Sequence, residues 1–141
     1  MADIQKCKEL CERIKEELVK QGKKSFIMYV AETNDMVSES DFPEDFYWDS
    51  AHYEIRLGGF ETGSYYRAIG VDGLYIEDDE LRFYLSEYHV DDNGDSYQET
   101  WRDNFENLMN GWWSSSDDFR PEEVLEYYLQ VMDDIANGEY D

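Results

Sequence analysis

Lysine disappears from this chain after Lys24, and cysteine and histidine each occur only twice in its 141 residues. Each scarcity removes a class of function. From Glu32 onward thirty acids face five arginines (Arg56, Arg67, Arg82, Arg102, Arg120). A body charged in that way repels nucleic acid and anionic membranes alike. Only His52 and His89 are near-neutral proton carriers, and no nucleophile elbow, phosphate loop, HExxH or paired-cysteine motif accompanies them. The chain therefore reads as non-catalytic, with no cofactor. Two cysteines, Cys7 and Cys11, are read as reduced thiols of a cytoplasmic protein. No run approaches the roughly 20 apolar residues of a membrane span. No charged segment followed by an apolar one opens the chain as a secretory signal would.

What is present is charge on a chain that can fold. The net charge is −23, yet 41% of residues are hydrophobic and 16% aromatic. Disordered acidic tails lack such residues, and one domain of this length can bury a core. The charge is also uneven. Residues 1–31 carry seven bases (Lys6, Lys8, Arg13, Lys15, Lys20, Lys23, Lys24) against five acids, so all of the excess lies beyond them. An acidic, lysine-poor surface also serves solubility or life at high salt. Here, however, the lysines are gathered into one segment instead of being thinned evenly. A basic protein or a cation is the partner such a surface favours.

Periodicity predicts a helix over residues 3–21. Ile4, Cys7, Cys11, Ile14 and Leu18 form its apolar stripe, Asp3 its cap and Gly22 its stop. The cysteines fall within that stripe and are core residues. Ser25 to Ala31 reads as a buried strand. Glu32 to Ser50 reads as an irregular loop rich in carboxylates and large aromatics, of a length usually tied to function. Alternation predicts a strand over Ala51 to Leu57. Tyr65 to Val71, Leu74 to Ile76 and Leu81 to Val90 follow, punctuated by Gly58-Gly59, Gly63, Gly70 and Gly73, as in an antiparallel meander. Ser96 and Glu99 suggest a capping box, with Tyr97, Trp101, Phe105, Leu108 and Trp112 along the helix behind it. Pro121 opens a last helix whose buried face is Val124, Leu125, Tyr128, Val131, Met132 and Ile135. The expected fold is a single α+β domain over residues 1–141. It comprises an N-terminal helix, an antiparallel meander of four to five strands and two C-terminal helices.

The last helix carries the most specific functional signal. At 100° per residue, Glu122, Glu126 and Asp133 stack within about 40° of one another, with Glu123 and Asp134 beside them. Four helical residues rise about 6 Å, near the spacing of every second phosphate on a DNA strand. Glu99, Asp103 and Glu106 are expected to mark the outer face of the preceding helix. In the long loop, Glu39, Asp41, Glu44, Asp45 and Asp49 surround Trp48, and Asp117 and Asp118 precede the last helix. Carboxylates displayed on a rigid scaffold can occupy lysines and arginines that a nucleic-acid-binding protein presets for phosphates. Phe42, Phe46, Tyr47, Trp48, Trp112, Trp113 and Phe119 would add anchors among them. The run His89 to Asp95 resembles a calcium loop, but its glycine register puts His89 and Thr100 where carboxylates are required. Asn93-Gly94 is better read as a tight turn, and no metal site is expected.

The segment Asn110-Gly111-Trp112, the acidic-aromatic stretch after it and the helix bearing Tyr127, Tyr128 and Met132 are similar to the end of one type of small phage-encoded DNA mimic. These are anti-CRISPR inhibitors of Cas9. The resemblance covers about the last thirty residues, together with composition and element order. It implies a non-catalytic inhibitor whose carboxylates face the arginines that read the PAM, acting in the host cytoplasm. An immunity protein against a basic nuclease toxin, or an anti-restriction protein, uses the same complementarity.

Overall fold

The computed structural model describes residues 3–29, 46–48, 56–62 and 65–137. Helix α1 (Ile4–Lys20) begins where Asp3 accepts a hydrogen bond from the Lys6 N–H at 3.1 Å. It ends at Gly22, whose φ of +72° lets the Lys23 N–H reach back to the Leu18 carbonyl. That closing bond satisfies a carbonyl the helix leaves open, and a left-handed residue there favours glycine. The buried stripe is Cys7, Leu10, Cys11, Ile14 and Leu18. Ile4, expected inside, is 52% exposed.

The sheet follows: β1 (Ser25–Tyr29), β2 (Phe46–Trp48), β3 (Arg56–Thr62), β4 (Tyr65–Glu77), β5 (Glu80–Val90) and β6 (Ser96–Asn104). β1 and β3–β6 make the expected antiparallel sheet of five strands. β2 adds a parallel edge beside β1, within a stretch expected to be irregular. β4 is the spine. β5 lies along one side of it, while β1 and β3 share the other, pairing with residues 73–75 and 65–70 respectively. The two segments expected on either side of Asp72 are one strand. A register shift between Val71 and Gly73 leaves Asp72 as the extra residue of a bulge. Gly58 and Gly59 lie within β3 and do not bound it. A Cβ at Gly59 would overlap the Arg67 carbonyl and Ala68 of β4, so the close approach of these strands requires glycine.

One expectation is overturned. Residues 96–104 form β6 and not the first turns of a helix, and no capping box forms at Ser96. Residues four apart share a face at both helical and strand periods, so Tyr97, Trp101 and Phe105 fit either. The turn at Asp91–Asp95 decides it, because it returns the chain alongside β5 in register from Val90↔Ser96 to Arg82↔Asn104. Helix α2 is therefore short (Phe105–Asn110). It is capped by Asn104 and followed by a 3-10 turn over Trp112–Ser115. Helix α3 (Pro121–Ala136) starts at a proline, as its sequence requires.

Register alternation sorts the sheet into two faces. Phe26, Ile69, Val71, Leu74, Leu81, Phe83 and Leu85 point toward the helices and meet Cys7, Ile14, Leu18, Val124, Tyr128 and Met132 in one core. Tyr128 crosses this core to donate its hydroxyl to the Val71 carbonyl at the bulge, with its ring edge-on to Phe26. The opposite face carries Tyr66, Tyr75, Tyr84 and Tyr88, with Arg82 and Arg102 among them. Among the described residues, no helix is long and apolar enough to cross a membrane.

Two core variants test this packing. Phe83→Ala opens a void where the side chain is fully buried, and should cost about 3–5 kcal/mol in urea unfolding. Tyr128→Phe keeps the ring but strands the Val71 carbonyl, and should cost about 1–3 kcal/mol.

Candidate interaction surface

The acidic row on α3 faces the chain's own basic helix. Glu122 accepts the Asp3 N–H at 2.6 Å and the Cys7 thiol at 3.5 Å. It thereby supplies a carboxylate to the N-terminus of α1, where the helix dipole favours one. One turn on, Glu126 pairs with Lys6 at 2.9 Å. The hydrogen bond and charge of Glu126 raise the Lys6 pKa from its ordinary value. Asp133 is exposed and lines a cleft of about 530 Å³ between the helices, with Arg13, Glu16, Glu17, Lys20, Glu126, Leu129 and Gln130. The three carboxylates do share a face, as their spacing predicts. That face is the seam between α1 and α3, where the basic segment of the chain folds back on the acidic one.

Asp118 is also committed internally. Arg56 and the Ser116 hydroxyl bind it, and the Gly59 N–H donates to it at 3.0 Å. Burial on its own would raise its pKa. The Ser116 hydrogen bond and the Arg56 charge outweigh that and hold it below the ordinary carboxylate value. This latch fixes the segment before α3 to β3. Asp117, its neighbour, is exposed. Glu39, Asp41, Glu44, Asp45 and Asp49 lie outside the described residues, as do Phe42 and His52, and Trp48 stands in β2. Of the other aromatics considered as anchors, Trp113 is buried, and Trp112 and Phe119 pack against the core. Glu99 and Asp103 lie on β6 rather than on a helix, and Glu106 opens α2.

Sequence reasoning did not see how the arginines are used. Arg56 binds Asp118 and the Tyr66 hydroxyl. Arg67 binds Glu87 and lies 4.2 Å over the Trp112 ring. Arg82 gathers Glu77 at 3.3 Å with Asp78 and Glu80 at 3.8 Å, at the tip of the β4–β5 hairpin. Arg102 lies over the Tyr75 and Tyr84 rings at 5.7 and 5.1 Å. Arg120 reaches the Arg56 carbonyl at 2.9 Å and Glu123 at 3.6 Å. All five hold their own chain together. By contrast Asp95, Glu99, Glu106, Asp117 and Asp133 are exposed, and none is in an ion pair among the described residues.

The remaining candidate chemistry resolves into structure. Cys7 and Cys11 are buried free thiols. Burial, then nearby carboxylates, push both up to about 12, far from a reactive thiolate. The Asp91 carboxylate accepts the N–H groups of Asn93 (2.9 Å) and Asp95 (3.1 Å), and Gly94 has φ +83°. That is the tight turn its sequence suggests, and no metal-holding group of side chains occurs among the described residues. The chain matches no family model, no curated protein and no solved structure.

One buried acid gives a pH signature. Asp72, at the β4 bulge, accepts from the Ser86 hydroxyl at 3.1 Å. Burial raises it from 3.8 to about 7, against the smaller lowering effect of that hydrogen bond. The folded state therefore holds this proton more tightly than the unfolded chain. Its stabilising contribution is complete below the unfolded value of about 4 and is lost as the pH rises through the folded value. Asp72→Asn should match wild type in urea midpoint near pH 4 and pull ahead of it through pH 7, by a margin that levels off above about pH 8.

Proposed function

We propose that this protein is a non-catalytic DNA mimic that occupies the nucleic-acid-binding surface of a basic nuclease, with a Cas9-type effector as the leading target. The observation that carries the reading is the division of labour among charges. Four of the five arginines beyond α1 pair with carboxylates of their own chain and Arg102 lies over two tyrosine rings, while other carboxylates on the packed scaffold are exposed and outside any ion pair among the described residues. Grooves that bind DNA hold lysines and arginines already placed for phosphates, and a rigid acidic body engages them without a duplex being bent or opened. Attraction at long range speeds the encounter and makes it sensitive to salt. The resemblance of the last thirty residues to anti-CRISPR inhibitors supports the same target class and an action in the host cytoplasm.

Within this reading, the acids named from the sequence divide into two groups. Glu122 and Asp118 hold the fold, so their contribution to binding is indirect. Among the described residues Asp117 and Asp133 are open, and Glu99 of β6 and Glu106 of α2 are exposed with them.

The test is displacement of a labelled duplex from a panel of Cas9-type effectors and restriction nucleases, followed by fluorescence anisotropy. Displacement from at least one member, weakening steeply as salt is raised, is the expected result. Asp117→Lys and Asp133→Lys should each weaken inhibition about three- to ten-fold while leaving the melting temperature near wild type. Intact DNA binding by every nuclease in the panel would sink the proposal.

A further inference from the structure

The most open structural feature is the outer edge of β6. Among the described residues β6 has one ladder partner, β5, and the register between them runs unbroken through nine residues. The other side of β6 therefore presents a regular row of backbone N–H and C=O groups with no strand beside it among the described residues. Natural edge strands are usually protected by short length, by a bulge, by proline, by charged side chains or by a covering helix or loop. β2, at the opposite end of the sheet, is protected by its length of three residues. β6, Ser-Tyr-Gln-Glu-Thr-Trp-Arg-Asp-Asn, has no proline, lysine or bulge, and its guard against unwanted strands is the charge of Glu99, Arg102 and Asp103.

Its charge is selective. Glu99 and Asp103 share the helix-side face of β6 with Trp101 between them, about 13 Å apart along the strand. Asp95 precedes the strand and Glu106 follows it, continuing the acidic row at both ends. Arg102, the only base in the strand, is on the other face over Tyr75 and Tyr84. A second copy of this chain, itself at −23, is repelled from such an edge. A strand carrying lysine or arginine is attracted to it.

We infer that β6 is a docking edge for an extended, basic segment of the partner protein, which adds to the sheet as its next strand. Main-chain hydrogen bonds give such an addition its affinity, and side chains at alternate positions give it selectivity. Opposite Glu99, Trp101 and Asp103 the incoming segment would present a base, an apolar residue and a base, each separated by one residue. The inference rests on the reading that the partner is cationic, and it names how part of that partner is held.

The probe is a fluorescent peptide containing Lys-Thr-Val-Thr-Lys, compared with two isomers of equal charge that are N-methylated at one or the other alternating set of amides. An added strand uses only one set. One isomer should therefore bind about a hundred-fold more weakly than the parent, while the other binds like it. Glu99→Lys should weaken the parent peptide about ten-fold. On binding, alternate amides of residues 96–104 should become protected from hydrogen exchange. Equal binding of both isomers would reduce the contact to charge alone and overturn the inference. So would failure of the parent peptide to bind, or self-association of the free protein in sedimentation. Failure here alongside displacement of DNA from a nuclease removes the docking edge only. Peptide binding without displacement from any nuclease removes the DNA-mimic reading and leaves the edge standing.

Discussion

The acidic body of this protein depends on what its few guanidinium groups hold. Like charges at this density drive a compact state apart. The fold meets that by setting Arg56, Arg67, Arg82 and Arg120 against carboxylates of their own chain, while the exposed Arg102 lies over the Tyr75 and Tyr84 rings. Arg56 joins β3 to the segment before α3, and Arg67 ties the sheet to the 3-10 turn through Glu87 and Trp112. Arg82 quiets the hairpin tip, where Asp78 and Asp79 both take left-handed conformations. A planar, multiply donating cation can serve several partners at once, which suits a chain with so few of them.

The N-terminal lysines act differently. They line the outside of a helix whose inner stripe is apolar, and Lys6 and Lys15 pair with acids from α3 and the β4–β5 turn. Such half-exposed pairs contribute little singly. Their effect is orientation: the basic helix lies where the acids of α3 are densest. An acidic row that looked free in the sequence is partly answered from within. Among the described residues, exposed acids outside any ion pair include Glu99 on β6, Glu106 at the start of α2, Asp117 and Asp133.

The legible parts of the fold were those set by strong local signals. Asp3 and Gly22 bracket α1, and Pro121 opens α3. β6 was misread because a spacing of four residues satisfies two periods at once, and only pairing with β5 selects between them. The bulge at Asp72 was invisible for a related reason, since a single extra residue in a long strand reads as a break. For the candidate surface, helical geometry correctly grouped Glu122, Glu126 and Asp133 on one face. It could not say which neighbour that face would meet. Which carboxylates pair with arginine is a property of tertiary contact, so Asp118 and Asp117 look alike in sequence and differ entirely in the fold.

The seam between α1 and α3 joins groups far apart along the chain: the bond from Asp3 to Glu122 spans 119 positions. Closing so wide a loop costs more conformational entropy than zipping the β4–β5 hairpin, whose strands are joined by two residues. The hairpin pairs locally, whereas the two terminal helices bring together the far ends of the chain. Cys7, Ile14, Leu18, Tyr128 and Met132 belong to one cluster with Phe83 and Leu85 of the sheet. Parting the two ends would therefore bare the inner face of the sheet, which ties the termini to the cohesion of the whole.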